Sequence, residues 1–168
     1  MEKNKIAIVT GGNKGIGLGI TKSFVEAGYF VFVGAREETD FDGFDKNKVQ
    51  FVFTDVRQEK SHGILVKTAM DKFGKLDVYV NNAGYSKWKP IEKIDNKFLN
   101  DILDTNLKGA FWGSKAASKG MDSGSSIINI SSLAGKRGSS NNSAYVASKF
   151  GMNGLTQSLA KELGPRNI

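Results

Sequence analysis

Cysteine is absent from this sequence, and histidine occurs once, at His62. Without thiols there is no disulfide framework, thiolate nucleophile or cysteine-rich zinc site, and a lone imidazole cannot form a metal cage by itself. Only carboxylates remain as ligands, so no metal site is expected. Proline is nearly as scarce, with Pro90 and Pro165 alone in 168 residues, and no linker, repeat or low-complexity tract interrupts the chain. No apolar run approaches the roughly 20 residues that span a bilayer. The N-terminal stretch carries charges and glycines where a secretory signal would be apolar. A cytoplasmic protein with no membrane partner is therefore expected.

What is present fits one folded domain: 39% of residues are hydrophobic and 24% charged. A chain of this size buries roughly 70% of its unfolded surface and needs no staples. The net charge of +7 is uneven: residues 1–84 carry 12 basic and 11 acidic side chains, residues 85–168 carry 12 and 6. The lysines of the second half are scattered rather than clustered with aromatics, which favours a solvated surface over nucleic-acid contact. The excess suits a small anionic ligand.

Along the chain, short apolar strands alternate with helical patterns. Strands are expected at Lys5–Val9, Phe30–Val33, Val49–Thr54, Val78–Val80 and Ser126–Ile130. Helices are expected at Ile16–Ala27, Lys60–Phe73, about Asp95–Met121 and Ala144–Leu163. In the first helix Ile16, Ile20, Phe24 and Ala27 recur at helical spacing. Strands apolar on both faces and separated by helices imply a parallel sheet covered on both sides. The fold class is α/β, a doubly wound Rossmann-like sheet of order 3-2-1-4-5, in which ligands bind at the carboxyl ends of the strands.

Thr10-Gly11-Gly12-Asn13-Lys14-Gly15-Ile16-Gly17 joins the first strand to the first helix, where backbone N–H groups and the helix dipole face an anion. The G-x-G-x-x-G and P-loop spacings are both absent; Gly11, Gly15 and Gly17 form a Gly-x-x-x-Gly-x-Gly variant. About 20 residues on, where an acid would grip a ribose and an arginine would accommodate a 2′-phosphate, the second strand ends in Ala35-Arg36. With Lys14 nearby, NADP(H) is favoured over NAD(H). The alternative is that Glu37 or Glu38 turns inward to the ribose.

Tyr145 and Lys149, four residues apart, share one face of the last helix. A free Tyr titrates near 10, so a tyrosine base at neutral pH needs a stabilised phenolate, and a neighbouring ammonium pushes that way. Ser132 directly follows the fifth strand, at the ligand-binding edge.

With these residues the sequence resembles the short-chain dehydrogenase/reductase family, through the glycine loop, Asp55-Val56, Asn81-Asn82-Ala83-Gly84, Thr105-Asn106-Leu107, Ile130-Ser131-Ser132 and Tyr145-Val146-Ala147-Ser148-Lys149. The markers span nearly the whole chain in the family's order. Its NADP-dependent carbonyl reductases and oxoacyl-carrier-protein reductases look most similar.

The resemblance implies that Ser132 holds the substrate oxygen, Tyr145 exchanges its proton, Lys149 binds the nicotinamide ribose and Asn106 positions a relay water. It further implies that Gly11, Asn13, Lys14, Gly15, Ile16, Gly17 and Arg36 hold the cofactor together with Asp55, Val56, Asn82, Ala83 and Gly84. The expected activity is hydride transfer between NADP(H) and a small carbonyl or secondary alcohol. The alternatives are the same chemistry with NAD(H), or a dinucleotide-binding sensor or scaffold without turnover. A homo-oligomer, dimer or tetramer, is expected by the same likeness. Residues 1–168 are read as a single dinucleotide-binding domain. Family members continue through further strands and a substrate-covering segment, so the sheet is expected to be incomplete at its C-terminal edge.

Overall fold

A computed structural model describes residues 5–39, 41 and 43–168. Five parallel strands, β1 (Ile6–Thr10), β2 (Phe30–Ala35), β3 (Val49–Phe53), β4 (Val78–Asn81) and β5 (Ser126–Asn129), form one sheet in the order β3-β2-β1-β4-β5. This is the order expected from the sequence. Helices α1 (Gly15–Glu26), α2 (Glu59–Phe73), α3 (Asn96–Leu103), α4 (Gly109–Gly120) and α5 (Ser143–Leu163) complete the chain. Among the described residues no helix is long and apolar enough to cross a membrane.

The period of two along each strand divides the core into two layers. Ile6, Ile8, Phe30 and Phe32 face α2 and α4, packing with Leu65, Ala69, Tyr79 and Ala117. Ala7, Val9, Val31, Val33, Val78 and Val80 face the other way, against Val25, Ile20 and Phe24 of α1. The central strands β1 and β2 are buried throughout, whereas the edge strands β3 and β5 are only half covered, with Ile128 of β5 40% exposed.

Two features depart from the pattern read in the sequence. In α1 the packed face is Gly17, Thr21 and Val25, with Ile20 and Phe24 beside it, while Ile16 is 74% exposed. Ile16 sits in the first turn, outside both layers of the core. The long helix expected over Asp95–Met121 is interrupted by a π-helical turn at Asp104–Lys108 that joins α3 to α4. It carries Asn106 into the interior, fully buried, where its amide meets the backbone of Tyr85.

His62 is also fully buried, on the α2 face of the core. Nε2 lies 2.8 Å from the Val56 carbonyl and Nδ1 2.8 Å from the Tyr79 hydroxyl. The network is satisfied by a neutral ring that donates Nε2–H to Val56 and accepts from Tyr79. Burial holds the imidazole below its ordinary 6.5. The unfolded chain therefore takes up a proton that the folded one resists, so stability is full above about pH 6.5 and falls as the pH drops through the folded value. Thermal melts are expected to decline between pH 7.5 and 5.5, with a slope of at most about 1.4 kcal/mol per pH unit for one proton. His62→Gln should flatten that decline. A decline unchanged in the variant would assign it to another group.

Candidate functional site

One cavity of about 680 Å³ opens at the carboxyl ends of the strands, between β1 and β4, where the winding of the sheet reverses. That is the ligand position in a doubly wound sheet, and the volume falls within the roughly 300–1,000 Å³ usual for ligand pockets. Its wall contains Gly11, Asn13, Lys14, Gly15, Ile16, Gly17, Arg36, Asp55, Val56, Asn82, Ala83, Gly84, Tyr145 and Lys149, all singled out in the sequence.

The glycine loop forms the floor. Gly11 adopts the left-handed conformation (φ 63°), and its N–H donates to the Gly34 carbonyl at 2.7 Å, pinning the loop to β2. Gly17 packs so tightly that a Cβ there would collide with the Gly11 carbonyl oxygen. The Asn82 amide donates to the carbonyls of Thr10 (2.9 Å) and Gly11 (3.2 Å). The Thr10 hydroxyl donates to Val80 and accepts from the N–H groups of Asn82 and Ala83. The ends of β1 and β4 are thereby fixed to each other. No side chain caps the start of α1 at Lys14, so the first N–H groups of that helix remain available to an anion.

Beyond β2 and β3 the rim carries Arg36, Glu37, Asp55 and Arg57. Arg57 grips the Asp55 carboxylate with Nε and Nη2, at 2.6 Å for the shortest contact. The hydrogen bond from Arg57 holds the Asp55 carboxyl below the usual carboxylate range. Asp55 is already paired, and any ligand donor approaching it must share the carboxylate with that guanidinium.

At the opposite end, α5 presents Tyr145 and Lys149. Lys149 is 5% exposed, and its Nζ donates to the Ile130 carbonyl at 2.7 Å and lies 5.7 Å from the centroid of the Tyr145 ring. Burial lowers its pKa from the ordinary lysine value.

Ser132 and Asn106 are not part of the cavity wall. Ser132 Oγ accepts from the Ala134 N–H at 3.1 Å, capping a short turn, which leaves its own proton to donate. The Asn106 amide accepts from the Tyr85 N–H (3.0 Å) and donates to the Tyr85 carbonyl (2.9 Å) and Ser148 Oγ (3.2 Å). It links the loop after β4 to α5.

Sequence reasoning passed over Arg57 and Asp101, which also line the cavity; Thr105 and Ser131 entered it only as members of their motifs, and Tyr85 as the start of a loop expected to shape the substrate pocket. Arg57 is drawn in by the Asp two residues before it, whose carboxylate accepts from the Arg57 N–H. Ser131 gave no signal beyond its place in Ile130-Ser131-Ser132. Among the described residues, its Oγ is a buried side-chain polar atom without a hydrogen-bond partner. A second buried group, Asn81, donates to Ser114 and to Asn129, tying β4 to α4 and β5.

Comparison with known proteins returns one family model, the short chain dehydrogenases, matched over residues 5–168. The chain is 36% identical over 178 residues to a 3alpha-hydroxysteroid dehydrogenase of Mediterraneibacter gnavus, covering all of this chain and 71% of that protein. It is also 36% identical over 174 residues to the 3-oxoacyl-[acyl-carrier-protein] reductase FabG of Chlamydia muridarum, covering 98% and 70% respectively. Among solved structures, the ligand-free aldohexose dehydrogenase of Thermoplasma acidophilum superposes with a TM-score of 0.87 at 32% identity, over 95% of this chain and 62% of that one.

Proposed function

This chain belongs to the short chain dehydrogenase family, and from that premise we propose that it is an NADP(H)-dependent oxidoreductase of a carbonyl or secondary alcohol. The observation that carries the reading is the cavity that brings the glycine loop, Arg36 and the Tyr145–Lys149 pair onto one wall. The residues fit a dinucleotide. The glycine-floored helix start suits a pyrophosphate, Lys14 and Arg36 suit a 2′-phosphate, and the orphaned Ser131 hydroxyl marks a polar demand that the protein leaves unmet. When bound, the nicotinamide supplies the hydride or accepts it.

The protein's own contribution is the proton and its electrostatics. Tyr145 gives a proton to, or takes it from, the substrate oxygen, as a general acid or base. Lys149, kept in place by the Ile130 carbonyl, sets its ammonium beside that tyrosine, 5.7 Å from the centre of the ring. Ser132, one residue beyond the cavity wall at Ser131, keeps a hydroxyl proton that it would donate to a substrate oxygen placed outside that wall, where charge develops. Asn106 acts one step removed, through the Tyr85 backbone and Ser148, and fixes the separation between the β4 loop and α5.

The three relatives named above act, by their names, on a hydroxysteroid, a 3-oxoacyl-[acyl-carrier-protein] and an aldohexose. A carbinol or carbonyl carbon is their common element, which supports the substrate class. Phe111 on α4 and Phe150 on α5, each nearly half exposed, support pairing of copies into a homo-oligomer.

A cofactor titration is expected to show NADPH binding at least about tenfold tighter than NADH, equal to about 1.4 kcal/mol. Arg36→Ala should remove most of that difference. Equal affinities in the unmutated protein would reject the role given to Arg36 and Lys14.

A further inference from the structure

We infer that Asn13 is a positioning residue for cofactor choice, which it exerts by holding the backbone that presents Arg36 rather than by touching the nucleotide. The inference rests on the NADP(H) reading above and adds a device to it. Asn13 is 5% exposed, and its Nδ2 donates to the Glu37 carbonyl at 2.9 Å. The Thr39 hydroxyl returns a hydrogen bond to the Asn13 carbonyl at 3.0 Å. Two bonds thus join the glycine loop to the segment that leaves β2.

The position of these bonds decides their consequence. Up to Ala35 the backbone is held by the sheet, with the Ala35 carbonyl accepting from the Thr54 N–H at 2.8 Å. Arg36 is the first residue beyond it and lines the cavity, as does Lys14 on the loop. The Asn13 amide meets the chain one residue past Arg36. It therefore fixes the distance between the two cations and limits the range of the guanidinium before any ligand arrives. A 2′-phosphate gains from that preorganisation, whereas a ligand without the phosphate does not.

The test is a double-mutant cycle read by cofactor binding to the full chain, with no turnover needed. Asn13→Ala is expected to lower the ratio of NADPH to NADH affinity by about fivefold, the scale of immobilising one long side chain. In an Arg36→Ala background the same substitution should leave the ratio unchanged, because the two residues act as a unit. Thr39→Val removes only the return bond and should shift the ratio in the same direction by less, which keeps the test open if Asn13→Ala does not fold. Equal losses for NADPH and NADH, or a full effect of Asn13→Ala on top of Arg36→Ala, would overturn the clamp and make Asn13 a direct contact. An unmutated protein without preference would overturn the cofactor reading itself, a result that the clamp variants cannot produce.

Discussion

Tyr145→Phe is expected to lower the rate of carbonyl reduction by about 100-fold or more, the usual contribution of a positioned acid or base, while NADPH affinity changes by less than about twofold. The substitution keeps the ring and removes the hydroxyl. Lys149 does not depend on that hydroxyl for its place, since its ammonium is tied to the Ile130 carbonyl. The cavity wall and the cation therefore persist, and only the proton is lost. The measurement is a steady-state assay with NADPH and a panel of carbonyls, beside a fluorescence titration of NADPH. A loss in kcat with binding retained assigns the proton to Tyr145. A Phe variant with near-normal turnover would show that another group moves it, and the mechanism given to this end of the cavity would fall.

Gly17→Ala is expected to weaken NADPH binding by about 100-fold, or about 2.7 kcal/mol, and to lower the melting temperature. On helix propensity alone, alanine at this position of α1 would be favourable by up to about 1 kcal/mol. The added methyl, however, meets the Gly11 carbonyl oxygen and sits 2.5 Å from the Asn82 amide nitrogen. Neither can retreat cheaply. The first is backbone pinned through Gly11 N–H to Gly34, and the second already holds the Thr10 and Gly11 carbonyls. Overpacking a fixed site costs about 1–3 kcal/mol, and the strain is relieved only by lifting the loop whose N–H groups face the cavity. Gly19→Ala is the control, because nothing lies within 4 Å of a Cβ there. It should bind NADPH normally and melt at the same temperature or slightly higher. Equal behaviour of the two variants would mean that the loop is not rigid.

The sheet was legible because each strand is a short apolar run bounded by turn residues, and because helices between such runs allow only parallel pairing. The cavity wall was legible for a related reason. Its residues follow the carboxyl ends of strands, which the doubly wound topology gathers in one place. What escaped notice depends on contacts that no local pattern encodes. Ile16 fits a helical apolar stripe, but a stripe does not reveal that the first turn of α1 opens on the cavity and not on the core. The π turn adds a residue to a helix whose sequence is an ordinary helical one, and the Asn106 amide it carries inward finds its partner in Tyr85, 21 residues away. His62 reads as a solitary histidine until α2 sets it against Tyr79 and Val56. Ser131 and Ser132 are neighbours of one residue type, and the backbone alone decides which of them lines the cavity.

The order of strands also sets an order of assembly. β1 pairs with β2 only 24 residues along the chain, at Ile6 and Phe30, but with β4 71 residues along, at Ala7 and Val78. Closing the longer loop costs about 1 kcal/mol more in chain entropy, and non-local pairings of this kind slow folding. The β3-β2-β1 half therefore has the shorter route to forming first, and the β4-β5 half joins it along the seam between β1 and β4. The cavity opens on that seam. A ligand that lay between the glycine loop on one side and Asn82 to Gly84 on the other would bridge the two halves at their last-made junction. Saturating ligand thus acts as a clasp on the native state, adding stability in proportion to the logarithm of its concentration over Kd.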